Sequence, residues 1–173
     1  GSVNWTYSVA DTDANLDFLA KDETITLTYT VTITDNNNAT DTDTVQVTIT
    51  GTNDAPVITT AIEDFSFTEA LDASAQALST SGTLEFTDID TNDVIDVRSD
   101  VTTPAVWSGG QIDNALKSAL EAGFSISGTD LPAPGSVNWT YSVADTDANL
   151  DFLAKDETIT LTYTVTITDN NNA

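Results

Sequence analysis

The clearest pattern in the chain runs from Thr24 to Thr34, where Thr holds every even position and Ile25, Leu27, Tyr29, Val31 and Ile33 hold the odd ones. Side chains of a β-strand alternate between its two faces, so strict period-two patterning predicts a long amphipathic strand. Asp35-Asn36-Asn37-Asn38 then supplies turn formers. A second alternating run, Thr44 to Thr50, puts Val45, Val47 and Ile49 on one face, and the two runs predict a β-hairpin. The same pattern recurs at Thr158 to Thr168. Shorter runs predict further strands at Phe65 to Thr68, Gly82 to Phe86, Val94 to Arg98, Phe124 to Ser127 and Val137 to Val143. One helix is expected over Asp113 to Ala122, because Ile112, Leu116, Ala119 and Leu120 share a face and Gly123 offers a stop. A further helical turn is expected around Asn149 to Leu153. Many short strands separated by turn signals define an all-β chain with one short helical insertion, and a sandwich is the expected architecture.

The recurrence is exact. Residues 1–39 reappear without change as residues 135–173, an offset of 134 positions. Such duplication is the signature of a tandem repeat, which adds reach or avidity with each unit and argues for an architectural role. Gly51-Thr52-Asn53-Asp54-Ala55-Pro56 is turn-rich and its Pro cannot sit in a central strand, so a linker is expected at about 51–57. Residues 1–52 then carry the last strands of one repeat, and 53–173 the next repeat without its final strand. The strand Thr44 to Thr50 is therefore expected to be able to complete a sheet elsewhere, by exchange between copies or by folding back within its own chain.

Charge narrows the picture. The chain carries 28 Asp and Glu against 4 Lys and Arg, a formal charge of -24. Lys21, Arg98, Lys117 and Lys155 form no basic patch, which makes nucleic acid and anionic membrane surfaces poor partners. No apolar run approaches the roughly 20 residues of a membrane-spanning helix, and direct membrane insertion is not expected. His and Cys are absent, so a Ser or Thr nucleophile would lack its customary base. Nothing singles out a facing pair of carboxylates from the 28 present, so no enzyme activity is expected.

The carboxylates cluster in predicted loops: Asp88, Asp90, Asn92 and Asp93; Asp35 with Asp41 and Asp43; Asp11 and Asp13; Asp22 and Glu23; Asn53 and Asp54. Ca²⁺ takes roughly six to eight oxygen ligands from carboxylates, Asn side chains and backbone carbonyls, which suits Asp-x-Asp steps. Loops of an immunoglobulin-like sandwich sort to two ends. If the linker enters at one end, the loop Asp88 to Asp93 and the hairpin loop beginning at Asp169 lie there too. Asn53 and Asp54 of the linker, with Asp22 and Glu23 of the preceding unit, are expected to meet them. The expected Ca²⁺ ligands are therefore Asp22, Glu23, Asn53, Asp54, Asp88, Asp90 and Asp93, with Asp35 and Asp169 from the hairpin loops.

Trp139-Thr140-Tyr141-Ser142-Val143, Leu153-Ala154-Lys155-Asp156-Glu157, the run from Thr162 to Asp169, and the run from Val45 to Val57 together resemble the VCBS repeat of large bacterial RTX-type surface adhesins. The resemblance covers most of one period. It implies a cadherin-like, immunoglobulin-like Greek-key β-sandwich acting as an extracellular extender on the bacterial surface, in adhesion or biofilm formation, with neighbouring repeats of the same chain as partners. It also implies that the Asn53 to Pro56 linker, the Asp88 and Asp90 pair and the Asp22-Glu23 step correspond to calcium-binding elements of cadherins. The chain departs from the pattern at Asn36-Asn37-Asn38, where Gly and Asp are usual, and holds no glycine-rich nonapeptide. The alternative is a module that itself binds carbohydrate or protein through an aromatic, for which Trp107 beside Gly109-Gly110 is the candidate. Trp139 and Tyr141 share one face and are expected in the core.

Overall fold

The computed structural model describes residues 1–10, 15–73, 76–144 and 146–172. Asp11 and Asp13, named above as an acidic cluster, lie outside them. Among the described residues the chain is mostly β-structure with one helix, in keeping with an all-β sandwich. It divides into two compact units: residues 1–54 with 89–92, and residues 55–88 with 93–173.

In the first unit, β1 (Thr24–Thr34) and β2 (Thr40–Thr50) form an antiparallel hairpin with Thr24 opposite Thr50 and Thr34 opposite Thr40. The second strand starts four residues earlier than its hydrophobic alternation does, because the polar stretch from Thr40 to Asp43 still finds backbone partners across the hairpin. The turn is built by Asp35, whose Oδ1 accepts from the N–H groups of Asn37 and Ala39, both at 2.8 Å, while Asn38 takes φ 67°. Asn tolerates this left-handed conformation better than most residues.

The second unit holds two sheets. One has the order β3 (Val57–Thr60), β4 (Leu78–Thr87), β8 (Gly135–Val143), β6 (Phe124–Ser125), and the other the order β7 (Gly128–Pro132), β5 (Val94–Trp107), β9 (Ile159–Asp169). Two apolar clusters hold them face to face. Leu84, Phe86 and Trp139 of the first sheet meet Ile95, Val97, Val165 and Ile167 of the second. Leu78, Tyr141 and Val143 meet Ala105, Leu161 and Tyr163, with Leu116 and Leu120 of the helix closing that cluster. Burying each large side chain contributes about 1.5–3 kcal/mol.

The helix, α1 (Asn114–Ala122), is capped by Asp113, whose carboxylate accepts from the N–H groups of Ala115 and Leu116. Gly123 ends it at φ -67°, not in the left-handed conformation that usually selects Gly there. Its reason is space: a Cβ would fall 2.9 Å from both the Tyr141 ring and Val143.

Two strand expectations and one helical expectation change. Phe65 to Thr68 makes no ladder; Phe65 stacks on Trp139 and Phe67 on Tyr141, with ring centroids 5.6 and 5.7 Å apart, so the alternation serves ring packing without backbone pairing. β5 continues past Arg98 to Trp107, carrying Pro104 inside the register shift between Thr103 and Val106, where it has no cross-strand partner and its missing N–H costs no ladder bond. Asn149 to Leu153 forms turns and no helix, with Leu153 N–H bonded to Leu150 C=O.

Tyr141 and Tyr163 both donate their hydroxyls to Leu120 C=O, at 3.3 and 2.7 Å. Burial, with the neighbouring Tyr163 adding, pushes the Tyr141 phenol from its ordinary 10 up to about 12. The neutral phenol is thus favoured by the fold, and that contribution is complete below pH 10 and lost as pH rises towards 12. Urea midpoints should fall across this window, and Tyr141→Phe should flatten that part of the profile.

Candidate metal centre

Three carboxylates come together at one end of the second unit. Asp88 follows β4, Asp93 precedes β5, and Asp169 closes β9. The placement follows from topology: β5 runs antiparallel to β9 with Ile95 opposite Asp169, so the start of one strand lies beside the end of the other. Each residue offers an oxygen within 4.8 Å of those of the other two. Asp93 and Asp169 are 5% and 4% exposed and Asp88 is half-buried.

Asparagines shape the centre. Asn171 donates its amide to both oxygens of Asp93, at 3.4 and 3.1 Å, and its own N–H bonds Asp169 Oδ1 at 2.7 Å. Asn170 Oδ1 accepts from Val94 N–H at 2.9 Å, fixing the start of β5. Asn170 belongs to the hairpin loop expected at this end, whereas Asn171 is not among the expected ligands. Their one visible signal was the run of amides directly after a strand-ending Asp.

The donor set consists of hard oxygens with no imidazole or thiolate, which suits Ca²⁺, Mg²⁺ or Mn²⁺. Ca²⁺ holds oxygens at about 2.3–2.6 Å, so two ligands of one ion lie at most about 5 Å apart, and the separations observed fit. Three full charges this close repel by roughly 3 kcal/mol per pair at an effective dielectric of about 20. A divalent cation reverses that sign. Among the described residues, Lys117 and Lys155 are engaged elsewhere, with Glu121 at 3.9 Å and Asp156 at 3.0 Å.

The remaining expected ligands are placed differently. Asp90, 3% exposed, accepts from Asp54 N–H at 2.8 Å, and Asn92 donates to Glu23 at 3.5 Å. Asn53 donates its amide to Asp54 C=O, and Glu23 also accepts from Ala20 N–H. These residues of the first unit form a hydrogen-bonded group around the linker. Asp22 is exposed at φ 64° in the turn that leads into β1. Asp35, the sequence counterpart of Asp169, is exposed and its carboxylate organises the hairpin turn. No group of three carboxylates forms around Asp22 or Asp35 among the described residues.

Trp107 is not an open aromatic. It is half-buried, donates its indole N–H to Glu157 at 3.2 Å and meets Phe152 edge to face at 4.8 Å. Fold and site together define a mostly β protein with an acidic, oxygen-only candidate metal centre. Comparison with protein-family models, curated proteins and solved structures gives no match to this chain.

Proposed function

We propose that this chain is a calcium-stiffened extender, a stalk segment of a large bacterial surface adhesin built from VCBS-type repeats with an immunoglobulin- or cadherin-like Greek-key topology. The observation that carries the reading is the convergence of Asp88, Asp93 and Asp169, two of them buried, with one oxygen of each within 4.8 Å of those of the other two. The exact recurrence of residues 1–39 as 135–173 supports tandem architecture, since duplication lengthens a stalk and adds nothing to a single active site.

In this reading the ion ties the β4–β5 loop to the end of β9, replacing mutual repulsion by shared coordination and taking conformational freedom out of each unit. Extracellular calcium keeps the array rigid, and the repeats project a distal binding domain from the cell surface. The rival reading, a carbohydrate- or protein-binding module, is weakened by the packing of Trp107 against Phe152 and Glu157.

Calorimetric titration of Ca²⁺ into metal-stripped protein, paired with thermal unfolding, tests the proposal. Saturable binding and a rise in Tm are expected; at a free concentration of about 100 times Kd the gain is about 2.7 kcal/mol. No heat and no shift would remove the ion from the mechanism.

A further inference from the structure

We propose that the outer edge of β9 is a docking edge for a strand of sequence Thr40 to Thr50, and that in the 173-residue chain a second copy supplies it. Successive residues of a strand direct their N–H and C=O groups to opposite edges. In the first unit the odd-numbered residues serve β2: Glu23 C=O accepts from Gly51 N–H at 2.8 Å, and Asp35 N–H donates to Ala39 C=O at 2.9 Å. Along β9 the even-numbered residues serve β5. Thr158 C=O accepts from Ser108 N–H at 2.9 Å, and Thr162 C=O from the Thr102 hydroxyl at 3.4 Å. The offset between the copies, 134, is even, so parity carries across. The odd-numbered edge of β9 is the same edge that in β1 holds β2.

That edge is open among the described residues, because β9 is the terminal strand of its sheet. Beside β9 runs a groove of about 590 Å³, lined on one wall by Leu161, Tyr163 and Val165 and on the other by Ile58, Phe65 and Phe67. Val45, Val47 and Ile49 of an added strand present an apolar face of matching length. The turn that brings β2 back onto β1 is also repeated: Asn172 takes φ 71° where Asn38 takes 67°, and Asn171 N–H bonds Asp169 Oδ1 where Asn37 N–H bonds Asp35 Oδ1.

The donor has reason to leave. Among the described residues β2 pairs with β1 alone, in a two-stranded ribbon whose Tyr29, Val31 and Ile33 are exposed, and such ribbons are marginal alone. On β9 it joins a three-stranded sheet whose inner face is already packed. Donor and acceptor are different surfaces, so two copies can exchange strands reciprocally in a closed dimer, or each added copy can leave another β9 edge open in a head-to-tail chain.

Sedimentation and light scattering of the intact chain across a dilution series, in calcium and in chelator, test this. Mass should rise with concentration above the 18.3 kDa monomer. Excess peptide of residues 39–51 should return it to monomer with peptide bound, and the same peptide carrying Val47→Pro, which lacks the N–H aimed at the acceptor edge, should not. A monomer mass at every concentration overturns the proposal whether or not peptide binds. So does association unaffected by the wild-type peptide. Neither result touches the calcium reading, which is scored by heat and Tm.

Discussion

Asp169→Asn is expected to lower calcium affinity by on the order of 100-fold or more, while Asp35→Asn leaves it unchanged. Both residues end the same strand sequence and begin the same Asn-rich turn, so local sequence cannot separate them. Only Asp169 lies with Asp88 and Asp93. The two substitutions remove one carboxylate each and leave an amide oxygen that can still accept the turn N–H. Loss of a metal-site partner alone typically costs about 10- to 100-fold, and a direct ligand should cost no less. In the metal-free state the sign reverses: Asp169→Asn takes away one of three repelling charges, so metal-free stability should hold or rise while the calcium-dependent gain in Tm disappears. A purely structural Asp169 would instead lose stability in both states. Calcium calorimetry with thermal unfolding on the paired variants reads both effects.

The second large effect is expected at Trp139. Trp139→Ala should cost about 3–5 kcal/mol, as large-to-small changes in a packed core do. Trp139 is 7% exposed, lies opposite Gly82, where a Cβ would fall 2.7 Å from the indole, and is stacked on by Phe65. Trp5, its exact sequence counterpart, is 65% exposed, and Trp5→Ala should stay within about 0.5 kcal/mol. Urea unfolding of both variants checks the contrast. Equal costs would mean that the segment 1–10 is packed as β8 is.

These pairs mark what was legible. Alternation is a property of the strand itself, so β1 and β9 could be read directly, as could the Asp113-capped helix with its Leu116 and Leu120 face. The short strands β3 and β7 escaped because neither Val57-Ile58-Thr59-Thr60 nor Gly128-Thr129-Asp130-Leu131-Pro132 alternates apolar with polar residues. Phe65 to Thr68 was misread because alternation reports a face and not a backbone partner. At the candidate centre, the sequence marked Asp88, Asp93 and Asp169 as expected ligands along with six others. Which three meet is decided by the antiparallel register of β5 and β9, a long-range fact that spacing does not carry. Asn171, which holds Asp93, was hidden for the same reason.

Residues 135–143 are a central strand because β4 runs beside them through the whole of their length. Residues 1–9, identical in every atom of their covalent formula, are exposed and outside any sheet. One amino-acid sequence thus takes two states within one chain, and nothing local to it decides between them. What decides is the company it keeps: the copy beside β4 becomes a strand and buries its Trp, so the information for this stretch of fold is held by its neighbours.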